Sequence, residues 1–157
     1  AALLSAHPYE EVAFDLIPLV NDYTAAGMGC VGELDSPLPE KDFLDMAAAS
    51  LGSVSLRHSA LTGKMISRVA VCGGSGSSLI PAAIASGADA FVSGDIRYHN
   101  FADAGSDILI ADAGHYETEK FAVQIIYDLV IKKFPKFALR FSEINTNPIN
   151  YLYNGKG

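Results

Sequence analysis

From about residue 63 onward, apolar segments alternate regularly with polar turns and helical patterns. Three apolar runs predict buried strands, namely Arg68–Cys72, Ala88–Ser93 and Ile108–Ala111. A short helix follows the first strand and runs to about Ser86, and a long amphipathic helix begins at His115 and ends before Pro135. Strands that alternate with helices predict an α/β fold with parallel strands and right-handed crossovers.

The remaining segments have less regular patterns. Further strands are predicted over Val12–Ile17, Ser53–His58 and Phe137–Ile144. Glycines over Gly27–Gly32 indicate a bend, a bulge or a hairpin edge. Asp35–Pro37 is predicted to introduce a helix of about a dozen residues, which Gly52 ends.

Composition limits the classes of function. The chain has 157 residues and a net charge of −7, which argues against a nucleic-acid-binding surface because such a surface is basic. No apolar run approaches the ~18–20 residues that cross a bilayer. The chain has no signal-peptide pattern, and Cys30 and Cys72 lack metal-type spacing. We therefore expect a cytoplasmic protein with reduced thiols; because there is no initiator Met, we expect the chain to begin inside a longer protein.

Polar turns follow each of the three parallel strands. They are Gly73–Ser78, Gly94–His99 and Asp112–Glu119. Strand-to-helix turns of parallel strands emerge on one edge of the sheet, so these turns are predicted to line one crevice.

The third turn carries the strongest chemical pattern. His115 and Glu119 are four residues apart, so on a helix they share a face. An imidazole and a carboxylate so placed can bind one divalent metal ion. The alternative is that Glu117 and Glu119 only favour the positive end of the helix, and the local pattern leaves both interpretations open.

The other two turns are ambiguous by themselves. Asp95 and His99 are also four apart, but either could be structural, as a helix cap or as a packed histidine. Gly74, Ser75 and Gly76 could bind an anion at a helix N-terminus, or could form a tight turn with a serine cap. Taken together, two histidines and two carboxylates in neighbouring turns favour a site for Zn²⁺, Mn²⁺ or Fe²⁺.

Four segments resemble the GTP cyclohydrolase 1 type 2 homologue family, also called NGG-interacting-factor-three-like. In chain order they are His7–Asp15, Gly73–Gly76, Gly87–His99, and Asp112–His115 with Glu119. The resemblance covers nearly the whole chain.

The resemblance implies an α/β core with a parallel or mixed sheet, a dinuclear metal centre and ring-shaped homohexamers. Residues 1–62 resemble the closing part of a small α+β insert of the PII type, and residues 63–157 resemble the second half of the core. The family pattern makes His115 and Glu119 metal ligands, with two ions per site in the intact protein. Asp95 and His99 match a motif beside the site, and Gly74–Gly76 matches a segment near the cavity.

In the family pattern, the other metal ligands are an adjacent histidine pair and an aspartate. They come from the first half of the family's proteins, and no segment of this sequence matches that half. This chain is therefore expected to hold a partial site.

Three functions are compatible with these residues. The first is a metal-dependent hydrolase of a phosphate-bearing, nucleotide-like small molecule. The second is a metal-binding assembly or regulatory protein without catalysis. The third is a structural α/β domain whose polar turns are caps. The sequence assigns neither a general base nor a substrate, and it indicates no membrane partner.

Overall fold

A computed structural model of the chain describes residues 5–9, 12–15 and 27–152. The strands in this part are β1 (Cys30–Pro39), β2 (Arg57–His58), β3 (Met65–Ser75), β4 (Ala90–Gly94) and β5 (Leu109–Asp112). The helices are α1 (Glu40–Leu51), α2 (Ile80–Ala85), α3 (Tyr98–Asp103), α4 (His115–Glu119) and α5 (Ala122–Lys133), with a 3₁₀ turn at Ser77–Leu79.

These strands form one mixed sheet in the order β1-β3-β4-β5-β2. β3, β4 and β5 are parallel neighbours, as the alternating pattern predicts. β1 pairs antiparallel with β3, and β2 pairs antiparallel with β5, so the antiparallel strands form both edges. The predicted α/β class is confirmed, with the parallel strands in the centre.

Apolar clusters cover both faces of the sheet. Phe91 and Ile110 pack on one face with α2, whereas Val92 and Leu109 pack on the other face with α1. Successive side chains of a strand point to opposite faces, so a strand that is buried on both sides needs a continuous apolar run. This is why β4 and β5, which are buried along their whole length, could be predicted.

The first helix begins later than its sequence pattern indicates. Asp35–Pro37 lies within β1, and α1 starts at Glu40 and ends at Gly52, which has the expected left-handed conformation. Proline is tolerated on an edge strand because its nitrogen, which carries no hydrogen, can lie on the outer side, where no hydrogen bond to another strand is needed.

The bend or edge predicted over Gly27–Gly32 is present, because Met28 and Gly29 form a bend and the edge strand β1 begins at Cys30. The register of β1 also shifts between Glu33 and Leu38.

Three strand predictions were wrong or only partly right. Phe137–Ile144 has no regular structure, and of Ser53–His58 only Arg57 and His58 pair with another strand. Val12–Asp15 has no strand either, while Leu16 and Ile17 lie outside the described residues. A strand requires a hydrogen-bonded partner, and among the described residues of these three segments only Arg57 and His58 pair with the sheet.

The predicted long helix is two helices. α4 ends at Glu119, and α5 begins at Ala122. The expected apolar stripe is present on α5, but Ile125, Ile126 and Leu129 are about 60% exposed.

β1 and β2 belong to the same sheet as the strands that follow them, and α1 packs against that sheet. The division at residues 62 and 63 and the PII-like character of the first part stay predictions. In the part of the chain that is described, no helix is long and apolar enough to span a membrane.

Candidate functional site

The three polar turns meet at the carboxyl ends of β3, β4 and β5, as predicted. α4 lies close to the ends of β3 and β4 because glycine allows its backbone to approach. A β-carbon on Gly94, the last residue of β4, would stand 2.7 Å from the His115 nitrogen. The Gly74 N–H, near the end of β3, donates to the Thr118 hydroxyl at 2.9 Å. The first residue of α4 is therefore fixed over the middle of the sheet edge.

His115 is the centre of the site. Its Nδ1 lies 2.7 Å from Oδ2 of Asp95, and its Nε2 lies 3.1 Å from Oε2 of Glu119. The three side chains are each about half exposed, so a solute can reach them. His115 and Glu119 share one face of the helix, as predicted. Asp95 contacts His115 from the neighbouring turn.

Two carboxylates around one imidazole change its protonation. The hydrogen bond to Asp95 is the main cause that raises the pKa of His115. Partial burial opposes this shift, and the negative charges of Asp95 and Glu119 add to it. Without a bound cation, the two carboxylates therefore widen the pH range in which the ring is protonated and can donate to both.

Asp95 has an unusual backbone conformation. Its φ is +55°, and among the described residues it is the one non-glycine residue with positive φ. L-residues rarely adopt this region, although Asp and Asn tolerate it better than most. The turn is held in place because the next N–H, that of Ile96, donates to Oδ2 of Asp112 at 3.0 Å.

Asp112 connects the turns. Its buried carboxylate accepts hydrogen bonds from the backbone of Ile96 and Gly114 and forms an ion pair with Arg57 of β2. In the sequence, Asp112 is the first residue of the third polar turn, and no pattern assigns its carboxylate a role. Its location between two polar turns was visible in the sequence, but its partner Arg57 comes from a distant edge strand.

The glycine turn packs against the site. A side chain on Gly74 would overlap the carboxylate of Glu119, and one on Gly76 would overlap the Ser93 hydroxyl. Ser75 is exposed beside them. The Gly74 N–H already has a partner in Thr118, so it is not directed at a ligand. Anion binding by Gly74, Ser75 and Gly76 stays a prediction.

His99 lies apart from this cluster. It is exposed on α3, where its ring packs edge-to-face against Tyr98 at 5.5 Å between centroids. α3 begins at Tyr98, so Asp95 precedes the helix and does not share a helical face with His99. The local cause is the left-handed turn at Asp95.

A cavity of about 1020 Å³ opens beside His115 and Glu119. Arg57 and Asp112 also line it, and the segment after α5 adds aromatic and apolar side chains such as Phe141 and Ile149. Glu117 lines it as well: this carboxylate is buried and accepts a hydrogen bond from Asn147 at 3.2 Å. The sequence patterns around Glu117 and Asn147 gave no sign of this contact, because thirty residues separate them.

The donor set suits a borderline divalent cation. His115 and Glu119 offer an imidazole nitrogen and a carboxylate oxygen on one exposed helical face. Within residues 5–9, 12–15 and 27–152, however, no three His, Cys, Asp or Glu side chains converge as a metal-binding group. Asp95 does not complete such a group because it bonds the opposite side of the imidazole ring.

Comparison with known proteins identifies relatives over most of the chain. The model of the Duf34/NIF3 (NGG1p interacting factor 3) family matches residues 3–148. Proteins named GTP cyclohydrolase 1 type 2 homolog are 32% identical over 154 residues in Staphylococcus epidermidis and 33% identical over 160 residues in Bacillus subtilis. Each of these alignments covers 96% of this chain but 42% of the relative, so the chain spans less than half the length of these curated relatives.

Solved structures show the same fold. A Bacillus cereus protein related to NIF3 is 31% identical with a TM-score of 0.70, over 96% of this chain and 43% of that chain. A Staphylococcus aureus protein is 28% identical with a TM-score of 0.74, over 96% of this chain and 44% of that chain.

Proposed function

The chain belongs to the Duf34/NIF3 family, and on this basis we propose that it binds a divalent metal ion through His115 and Glu119. The observation that carries the proposal is the 3.1 Å approach of Nε2 and Oε2 on one exposed face of α4. A cation between these atoms would replace the proton that they share. Imidazole and carboxylate ligands together suit Zn²⁺, Mn²⁺ or Fe²⁺.

Two side chains are too few for a tight site, because catalytic metal sites usually have three protein ligands. We propose that the remaining ligands come from the part of the intact protein that corresponds to the unmatched length of the relatives. We also propose that two ions bind together there, as the resemblance described above implies.

The activity we propose is hydrolysis of a phosphate-bearing, nucleotide-like small molecule. A bound divalent ion would lower the pKa of a water molecule and polarise a substrate oxygen. His115 and Glu119 would hold it at the mouth of the cavity, which combines the guanidinium of Arg57 with aromatic surface from Phe141. Such a lining suits a ligand that has both a charged group and a flat ring. The curated relatives are named as homologs of a GTP cyclohydrolase, and GTP belongs to this substrate class.

A non-catalytic assembly or regulatory role is the second candidate, and one observation favours it. α5 exposes a contiguous apolar stripe that includes Ile125, Ile126 and Leu129. Exposed patches of this kind mark contact surfaces. We propose self-association, as a homohexamer of the intact protein, for either function. The free thiols of Cys30 and Cys72 suit a cytoplasmic location.

Elemental analysis of the intact protein tests metal binding. H115A and E119A should each lose metal relative to wild type, and H99A should retain it because His99 lies outside the cluster. Unchanged metal content in both H115A and E119A would leave only a structural role for the polar turns.

Turnover distinguishes the two functional candidates. The metal-loaded protein should hydrolyse a member of a panel of nucleotides and of cyclic or phosphorylated pterin precursors. Absence of turnover across the panel, with metal confirmed bound, would favour the assembly role.

A further inference from the structure

Asp95 occupies a position for which a functional explanation is needed. Its left-handed backbone is energetically unfavourable for a non-glycine residue, and its side chain is about half exposed. An exposed turn residue could readily be glycine, which adopts this conformation without penalty. Among the described residues, the hydrogen-bond partner of the Asp95 carboxylate is Nδ1 of His115, at 2.7 Å.

This contact determines which ring nitrogen of His115 carries the proton. A neutral imidazole has one N–H and one free lone pair, and a carboxylate at one nitrogen keeps the proton on that nitrogen. The Asp95 contact at 2.7 Å is shorter than the Glu119 contact at 3.1 Å, so the proton of the neutral ring is expected on Nδ1. The lone pair of Nε2 then points toward Glu119, where a cation would bind.

We propose that Asp95 is a positioning residue that orients the His115 ring and keeps Nε2 free to bind a metal ion. The proposal rests on the metal-binding function proposed above. Asp95 acts through His115 and does not itself bind the metal. Carboxylates that hold a metal-binding histidine in this way commonly affect affinity by about 10–100-fold.

A buried carboxylate holds the backbone turn that contains Asp95. The buried carboxylate of Asp112 accepts the Ile96 N–H directly after Asp95, and Arg57 pairs with the same carboxylate. The Asp95 side chain is therefore carried by a turn that two neighbouring strands restrain. A restrained turn fixes the ring more firmly than an exposed side chain alone could.

The first test uses nitrogen NMR of the metal-free protein, at a pH where His115 is neutral. Wild type should show mainly the tautomer with the proton on Nδ1. D95G removes the carboxylate while its backbone can still adopt positive φ, so it should fold and shift the ring toward the other tautomer. D95N keeps an acceptor oxygen and tolerates the same backbone, so it should largely restore the wild-type tautomer. An unchanged tautomer in D95G would overturn the proposal.

The second test titrates Mn²⁺ or Zn²⁺ into the intact protein and follows binding directly. D95G should weaken binding about 10–100-fold while the number of ions bound at saturation stays unchanged. D103N is the matched control, because Asp103 ends α3 and makes no hydrogen bond to the His115 ring. A loss of stoichiometry in D95G, like that expected for H115A, would identify Asp95 as a ligand and contradict its positioning role.

The two tests separate the proposals. If wild type binds no metal, the proposed function fails, while the tautomer comparison still decides whether Asp95 orients His115. If wild type binds metal and D95G binds it equally well, the positioning role fails and the metal site remains.

Discussion

The carboxylate of Glu119 lies against Gly74, where the β-carbon of any other residue would stand. The same β-carbon would approach Cε1 of the His115 ring to 3.3 Å. A glycine in the turn after β3 therefore makes room for both proposed metal ligands on α4. This contact links the glycine turn to the site through packing.

G74A should displace Glu119 and His115 and weaken divalent metal binding by at least tenfold. The reason is steric, because the added methyl group overlaps the Glu119 carboxylate and also contacts the ring. Isothermal titration with Mn²⁺ would measure the change in the intact protein.

G63A is the matched control for this variant. Gly63 also has positive φ, at +78°, but its added methyl group meets no atom within 4 Å. Both variants should lose about 1–2 kcal/mol of stability from backbone strain. Metal affinity should fall only in G74A, and an equal fall in both would show that strain alone disturbs the site.

The stability of the metal-free protein should depend on His115. The two carboxylates raise the pKa of its ring in the folded state, so folding favours the protonated form. The resulting stabilisation is fully present at pH values below about 6.5, the pKa of histidine in the unfolded chain. It is lost as the pH rises through the pKa of His115 in the folded protein. In urea unfolding, the advantage of wild type over H115Q should shrink from acid to alkaline pH; an advantage that grows with pH would contradict the raised pKa.

Metal binding should show the opposite dependence on pH. A cation must displace the proton from Nε2, and the raised pKa makes that proton harder to remove. Affinity should therefore weaken as pH falls through the folded pKa of His115. Titrations with Mn²⁺ across neutral pH would measure this, and an affinity independent of pH would argue against coordination by the imidazole.

Asp112 should be important for stability as well as for the site. D112A leaves the N–H groups of Ile96 and Gly114 without their acceptor, and Ile96 is buried. Each such loss destabilises by about 1–3 kcal/mol, so we expect the two together to decrease the free energy of unfolding by about 2–6 kcal/mol. D112N, which keeps one carbonyl acceptor, should lose less. D103A, on an exposed helix end, should change stability by about 0.5 kcal/mol or less.

Glu40 should stabilise the connection before β3. Burial alone would raise the pKa of its carboxyl, but hydrogen bonds from Thr62 and Gly63 outweigh burial and lower the pKa. E40Q should decrease stability at neutral pH by about 1–3 kcal/mol, because one oxygen becomes a donor that faces backbone N–H groups.

The pH dependence and a control make the Glu40 prediction specific. A lowered pKa contributes stability above the unfolded value of about 4.5, and this contribution is lost as pH falls through the folded pKa. The difference between wild type and E40Q should thus shrink in acid. E33Q removes an exposed ion pair with Arg68 and should change stability by about 0–1 kcal/mol. Equal losses in both variants would contradict the special role of Glu40.

The hydrophobic pattern alone was sufficient to predict the central strands. The runs that became β4 and β5 are buried on both faces of the sheet, so they are continuously apolar, whereas the run that became β3 is mostly apolar although it alternates between buried and more exposed residues. It was insufficient for Phe137–Ile144, where an alternating pattern has no partner strand in the described part of the chain. The break between Glu119 and Ala122 also escaped prediction, because Lys120 and Phe121 include no glycine or proline that would mark a helix end.

The sequence by itself determined the parallel α/β core, the meeting of the three turns at one edge, and the spacing that puts His115 and Glu119 on one face. These features follow from the hydrophobic periodicity, which is a local property of the sequence, and from the geometry of parallel strands, which is common to all such sheets. Only the tertiary structure decided that Asp95 bonds the far side of the His115 ring, that His99 lies elsewhere, and that Arg57 supports the turns through Asp112. These contacts join residues 20 to 55 positions apart, and their geometry depends on backbone turns and close packing that no spacing rule contains.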